Sequence, residues 1–473
     1  MRILLINPSL HQATTGQYED EVEKERGVYP PLGLAYIAAI LENKNHEVKI
    51  IDCDVTENYR QEITKIFQEF GPRVVGFYAM TWNYHLASQI AKEIKELNPE
   101  VITILGGPNM TCMPGASLKF GQFDFGVISE GEVTIGELID KLENKNNLEF
   151  GQILGLAFKQ NGEVVINPAR PLINSLDDLP YPARHLLPME KYFDVFSKHK
   201  KFATIIATRG CPFNCTFCDR KNRMGRGWRV RSPKNIAEEI KGIIDKYGIR
   251  EFMFFDDNLI IDKKWANELF ARLKNLNIIW ECRERVDMVD ESTLRAMKDS
   301  GCYRIRFGFE SGDNRILKIL KKDITVEQSL KCAELCKKIG IEIVGYFIIG
   351  APQETNESIK NTINLALKIN PSFALFSKMI LIPGSELFNY AVATKQITSD
   401  YWIKFINGQE NNGAPTLTGE ILAEKIIDDY IKTADRKFNF RLSFILRKLM
   451  EVRSFGHLMS QAKIGLALIF KTK

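Results

Sequence analysis

The sequence predicts an α/β protein: a doubly wound, flavodoxin/Rossmann-like parallel sheet, then a partial (β/α)6 TIM-type barrel, then a helical C-terminal region. Three patterns carry this expectation. Short apolar runs alternate with helical spacing over the first 145 residues, the alternation restarts with a regular period at Phe202, and beyond Tyr401 helical and then basic character takes over. Alternating strand and helix signals are the mark of parallel sheets whose crossovers are helices.

Taken in order, Arg2 to Asn7 is a short apolar run, Pro31 to Asn43 has helical spacing, and His46 to Cys53 alternates as a strand does. Val74 to Met80, Val101 to Leu105 and Phe125 to Ser129 are further apolar runs, separated by helical stretches such as Leu86 to Leu97. Gly155 to Asn167 reads as a hairpin turning on Asn161-Gly162. Leu176 to His185 is a proline-rich connector. In the second series the expected strands are Ala203 to Thr208, Glu251 to Asp256, Ile278 to Cys282, Tyr303 to Phe309, Ile341 to Ile349 and Phe373 to Ile382. Between them lie helical stretches near Asn235 to Tyr247, Lys264 to Leu276, Glu291 to Ser300, Val326 to Ile339 and Asn356 to Ile369. The expected domains are therefore residues 1–145, a hairpin and connector at 146–200, a barrel at 201–395 and a helical basic region at 396–473.

With 473 residues, 45% hydrophobic and 26% charged, the chain has the composition of an ordinary globular protein of two or three domains. Met1 to Asn7 turns into Pro8 too soon for a signal peptide, and no apolar run reaches the length of a membrane span, so a cytoplasmic location is expected. The net charge of +5 is unevenly placed, because Arg436 to Lys473 holds nine Lys or Arg against the single acid Glu451. A helix carrying these cations opposite bulky apolar groups can lie peripherally on an anionic membrane surface, or dock on the barrel with its cations solvated. No nucleic-acid-reading module accompanies the charge, so no nucleic acid partner is expected.

Cysteines carry the chemistry. Of nine, six are scattered without regular spacing, which fits a reducing compartment rather than a disulfide framework. The other three, Cys211, Cys215 and Cys218, stand in the run Thr-Arg-Gly-Cys-Pro-Phe-Asn-Cys-Thr-Phe-Cys-Asp. A structural zinc wants a fourth ligand, and the nearest histidine, His199, is twelve residues upstream. Thiolates suit iron, and three of them wrap three corners of a four-iron cube, leaving one iron for a ligand from solution.

The spacing Cys-x3-Cys-x2-Cys, with Phe217 before the last cysteine, resembles that of the radical S-adenosylmethionine (SAM) enzymes. Tyr29-Pro30-Pro31-Leu32-Gly33-Leu34, Gly106-Gly107-Pro108 and Glu130-Gly131-Glu132 resemble the cobalamin (B12)-binding domain that precedes many such modules. The resemblance implies a 4Fe-4S cluster whose open iron chelates SAM, cobalamin in the first domain, and an external low-potential electron donor of flavodoxin or ferredoxin type. For cobalamin it points to Thr81, Gly106, Gly107, Glu130 and Gly131. The Asp-x-His-x-x-Gly signature is absent and Asn109 follows Gly-Gly-Pro, so no histidine ligand to cobalt is expected from that motif.

Barrel sites form at the carboxyl ends of strands. There stand Asp256 and Asp257, suited to an ammonium group; Arg283 and Arg285, either of which can pair with a carboxylate; Glu310 and Ser311, for ribose hydroxyls; and Gly345 and Gly350, which resemble the family's adenine-contacting segment. The resemblance implies reductive cleavage of SAM to a 5′-deoxyadenosyl radical and methyl transfer, by way of cobalamin, to an unactivated carbon. Cyclisation, rearrangement or carbon-carbon bond formation without methyl transfer is the alternative, and a non-catalytic cluster-binding protein a third. The substrate is expected to be a small molecule or a lipid.

Overall fold

The computed structural model describes residues 1–10, 27–144, 149–220, 224–410, 415–416, 423–441 and 444. They form two compact units that do not follow the chain in simple order. Met1–Thr204, Arg220–Arg231 and Ser399–Gly413 make the first, and Ile205–Asp219, Ser232–Thr398 and the described residues from 415 onward make the second.

In the first unit, strands β1 (Arg2–Asn7), β2 (Glu47–Asp52), β3 (Val74–Tyr78), β4 (Ile102–Gly106), β5 (Phe125–Val127), β6 (Leu156–Gln160) and β7 (Glu163–Ile166) form one sheet in the order β2-β1-β3-β4-β5-β6-β7. The ladders from β2 through β5 are parallel. Ile3, Leu4, Leu5 and Ile6 are all buried, as a central parallel strand covered on both faces requires. Helices Tyr59–Phe70 and Tyr84–Leu97 cover one face through Ile63, Phe67, Ile90 and Ile94. Helices Leu32–Asn43 and Glu132–Glu143 cover the other through Leu34, Ala38, Leu138 and Ile139. This is the doubly wound, flavodoxin-like arrangement the periodicity predicts, with its switch point between β1 and β3.

The hairpin joins that sheet instead of standing apart from it. β6 pairs antiparallel with β5 and with β7, and its two-residue turn uses Asn161 and Gly162 at φ of 51° and 82°. Positive φ at both central residues is the turn type that matches strand twist. Near the other end of the chain, helix Tyr401–Ile406 returns to the first unit, where Trp402 packs edge-on against Trp82 with ring centroids 5.2 Å apart.

The second unit opens at Ile205, the last residue of β8 (Ala203–Ile205), and continues with the two-residue β9 (Thr208–Arg209); the equally short β10 (Arg229–Val230) belongs to the first unit. β11 (Glu251–Phe254), β12 (Ile279–Glu284), β13 (Cys302–Glu310), β14 (Glu342–Ile349) and β15 (Phe373–Lys378) complete a six-stranded sheet in the order β15-β14-β13-β12-β11-β8. The ladders from β11 to β15 are parallel. Local chemistry starts the helices sharply. Ser232, Asp262, Asp290, Asp313, Thr325, Thr355 and Ser385 each accept a backbone N–H at the start of the seven successive helices from Pro233 to Ala393.

Strand alternation then decides which residues line the concave side. Phe254 and Trp280 pack outward, Trp280 stacking on Phe270 of helix Lys263–Lys274. Phe309, Phe347 and Phe376 stack outside β13 to β15, with centroids 5.5 and 5.2 Å apart, under Phe438 of helix Glu424–Asn439. The opposite phase of the strands therefore faces the lumen. Among the described residues no helix is long and apolar enough to cross a membrane.

Candidate active site

The loop bearing the three cysteines is pinned at several points. Just past β11, Asp256 Oδ1 accepts the Ala207 N–H at 3.0 Å and the Thr208 hydroxyl at 2.7 Å, as well as the Thr208 N–H. Thr216 is bonded on both sides: its N–H donates to the Leu320 carbonyl at 3.0 Å, and its own carbonyl accepts from the Leu387 N–H at 2.9 Å. Phe217 packs on the buried group containing Ile316, Leu320 and Leu387. So held, the loop leaves Cys211 and Cys215 half-buried and Cys218 exposed.

Polar and charged groups gather around these thiols. Asn258 Nδ2 donates to Cys211 Sγ at 3.2 Å. The Arg285 guanidinium lies 3.7 Å from the centroid of the Phe213 ring. Burial pushes the Cys211 and Cys215 thiols up, and at Cys215 the Lys322 and Arg285 cations pull the other way. Those cations favour an anionic thiolate site. Among the described residues no three Cys, His, Asp or Glu side chains converge on one ion. A cubane asks for no such convergence, since each thiolate takes a different iron.

Three of the expected strand ends reach this loop. Asp257 and Asn258 follow β11, and Asp257 is half-buried near enough to Cys211 to act on its thiol. Arg285 follows β12, but Asp287 takes its two-pronged face at 2.9 and 3.0 Å and the Lys322 carbonyl a further N–H. Glu310 closes β13 in the left-handed region at φ 60°, its carboxylate accepting from Lys322 Nζ at 2.8 Å. The others are placed differently. Ser311 is buried against the Thr362 hydroxyl at 3.2 Å. Gly345 lies inside β14, where a Cβ would come within 2.8 Å of the Phe347 ring. Gly350, at φ 98°, backs onto Ile427, and its N–H is held by the buried Glu354.

In the first unit, Gly106 and Gly107 end β4 and Thr81 follows β3. Gly107, at φ 97°, brings the chain so close to β3 that a Cβ would sit 2.8 Å from the Ala79 carbonyl oxygen. A Cβ on Gly106 would meet nothing nearer than 3.8 Å. Asn109 is fully buried, its amide oxygen accepting from the Ser117 hydroxyl at 2.7 Å, so it turns into the core. The Glu130 carboxylate is taken by Arg229 Nη1 at 2.7 Å and by the Ile173 N–H at 2.7 Å. Gly131 packs against Val127 and Ile37.

Comparison with known proteins gives this geometry a context. Residues 22–139 match the B12 binding domain and residues 205–366 the radical SAM superfamily. The chain is 34% identical, over 99% of both lengths, to an uncharacterized methyltransferase of Pyrococcus horikoshii. It is 31% identical to the cytidylyl-2-hydroxyethylphosphonate methyltransferase of Streptomyces wedmorensis, covering 83% of this chain and 82% of that one. In fold it resembles the cobalamin-dependent S-adenosylmethionine radical enzyme OxsB, with a TM-score of 0.73 at 17% identity over 99% of this chain and 71% of that one. The chain belongs to the B12-binding radical SAM family.

As a member of the radical SAM methyltransferase class, the enzyme uses a 4Fe-4S cluster, SAM and cobalamin. The residues present fit the first two: three thiols on one immobilised loop, flanked by Arg285 and Lys322, with Asp257 and Glu310 at adjoining strand ends. The open edge at Gly106, beside the close approach at Gly107, fits a bulky ligand reaching the backbone at the ends of β3 and β4. Sequence reasoning did not single out Lys322, because it stands in an ordinary Lys-Lys pair far from any strand end. Nor did it single out Phe213, whose role as a platform for Arg285 depends on a contact across 72 residues.

Asp256 carries a pH-dependent part of this scaffold. Burial pushes it up to about 7 from 3.8, against the hydrogen bonds of Thr208 and Ala207. A carboxyl raised on folding stabilises the protein fully below its unfolded value, and the contribution is lost as pH rises through about 7. Denaturant titrations of Asp256→Asn between about pH 5 and about pH 8 are expected to show a shallower decline than the parent, by up to about 1.4 kcal/mol per pH unit. Identical slopes would exclude Asp256 as the titrating group.

Proposed function

We propose that this enzyme transfers a methyl group to an unactivated carbon of a small-molecule substrate, with Cys211, Cys215 and Cys218 holding the cluster and the strand ends beside them holding SAM. The observation that carries the reading is the juxtaposition, in one unit, of the pinned three-cysteine loop with Asp257, Arg285 and Glu310. Two relatives similar over most of the chain are methyltransferases. When bound, the cofactors supply the electron that cleaves SAM and the relay for its methyl group.

The chain's own residues then bind and orient. Asp257 accepts from the SAM ammonium, and Glu310, with one oxygen engaged by Lys322, offers the other to a ribose hydroxyl. Asn258 holds the Cys211 sulfur through its amide, and Arg285, braced by Asp287 and stacked on Phe213, positions the loop. Thr81, Gly106 and Gly107 form the backbone edge for the corrin. The reaction needs an external electron donor. Contact of the basic tail with an anionic membrane stays within this proposal on sequence grounds alone, since residues 445–473 lie outside the described residues.

An anaerobic assay separates the alternatives. The full chain is reconstituted with iron, sulfide and hydroxocobalamin, given SAM and reductant, and both 5′-deoxyadenosine and S-adenosylhomocysteine are measured. Methyl transfer is expected to yield both. Deoxyadenosine alone would move the assignment to cyclisation or rearrangement, and neither product, with the cluster verified spectroscopically, would sink the enzymatic reading.

A further inference from the structure

The lumen of the barrel is charged, and all but one of the arginines lining β12 and β13 has a carboxylate partner. Glu281 accepts from Arg306 at 2.6 Å and lies 3.4 Å from Arg304, which also pairs with Glu342 at 2.8 Å. Arg304, Arg306 and Glu281 are each no more than 4% exposed. Arg285 is matched by Asp287. Arg283 is the exception. It is half-buried, its guanidinium lies 4.1 Å from the centroid of the Phe255 ring, and among the described residues it has no carboxylate partner.

Position makes this unusual. Arg283 shares the lumen phase of β12 with Glu281 and Arg285, and in the parallel ladder it stands directly beside Arg306. Of these two neighbouring guanidiniums, Arg306 is paired with Glu281, a carboxylate also approached from the β13 side by Arg304, and Arg283 has no carboxylate partner among the described residues. Such a pair repels unless an anion lies nearby, and a guanidinium fork on an aromatic platform is shaped for an oxyanion. Arg283 lies two residues before Arg285, roughly 7 Å lower along the strand, whereas Arg285 is the residue that meets the cysteine loop.

We infer that Arg283, with Arg306 beside it, anchors an oxyanion of the substrate, a carboxylate or a phosphate-type group, in the barrel lumen one pleat below the site where SAM is cleaved. The inference rests on the methyl-transfer reading for what is done to that substrate, and on the lumen geometry alone for the anion. The carboxylate of SAM itself offers the same chemistry, so the experiment must separate the two sources.

The cluster-reconstituted full chain is titrated calorimetrically with methylphosphonate and, separately, with SAM. The wild type is expected to bind methylphosphonate saturably. Arg283→Gln should weaken that binding about tenfold or more while SAM affinity and substrate-free SAM cleavage stay within about twofold. Arg283→Lys, which keeps the charge and the lumen packing but loses the fork, should fall between. Lys264→Gln, an exposed lysine on the outer helix, should change neither. Absence of saturable methylphosphonate binding in the wild type, or full binding by Arg283→Gln, overturns the inference. A tenfold loss of SAM affinity in Arg283→Gln assigns the residue to the cofactor and overturns it equally. If the enzyme bound methylphosphonate through Arg283 yet produced no S-adenosylhomocysteine, methyl transfer would fail and the anion site would stand.

Discussion

Cys215→Ala is expected to leave anaerobic reconstitution with far fewer than the about four irons per chain of a complete cluster, and to cleave SAM about a thousandfold or more slowly than the parent. Cys215 is the middle cysteine of the three, half-buried, with Cys218 exposed, and its carbonyl accepts the Cys218 N–H at 3.2 Å. Losing its thiol removes one of the three candidate ligands while leaving that backbone hydrogen bond in place. The fold should survive, because the loop is held through Asp256, Thr216 and Phe217, none of which depends on that thiol. Iron analysis, circular dichroism and deoxyadenosine release together make the test. Undiminished SAM cleavage by a folded Cys215→Ala protein would falsify the cluster assignment.

Glu310→Gln should have the largest effect on stability. Glu310 and Lys322 pair at 2.8 Å with side chains 8% and 9% exposed. Burial pulls the Lys322 ammonium down, but Glu310 and the nearby Cys215 together hold it above its ordinary value. Neutralising Glu310 leaves a buried cation without its partner, which costs about 3–5 kcal/mol. Lys322→Met in the same background should recover most of that loss, because two apolar or neutral groups can replace a buried pair at little net cost. Chemical denaturation of the two single variants and the double variant measures the cycle. SAM affinity then separates two roles. If Glu310 also contacts the ribose, the double variant will regain stability but still bind SAM weakly; recovery of both makes Glu310 a structural pillar alone.

How much of this was legible in the chain follows from where the signals lie. Helical spacing marks the helices of the second half within a residue or two, at Glu291, Val326 and Asn356 among others, and in the structure each of these follows an Asp or Thr whose side chain caps it. Among the described helices of the first unit none carries a side-chain cap, and Tyr59–Phe70 and Glu132–Glu143 are not singled out by the sequence pattern. The hairpin turn was plain in Asn161-Gly162, but its pairing with β5 was not, since an edge is filled by whichever strand the chain brings there. The resemblance points to Glu130 as a cobalamin contact, and in the structure Arg229, 99 residues on, takes its carboxylate. Arg285, at a strand end, is suited to a ligand carboxylate, and Asp287 occupies its fork.

Periodicity and the spacing of three thiols are properties of neighbouring residues, so the two α/β modules and a candidate cluster loop are legible in the sequence. Which charge finds which partner is different in kind. It is settled by strand register and loop return over tens of residues, as when Lys322 reaches Glu310, Phe213 receives Arg285, and Arg283 comes to stand beside Arg306. A carboxylate or guanidinium at a strand end announces an ability to bind; whether that ability is already used within the chain or left for a ligand depends on contacts that no local pattern encodes.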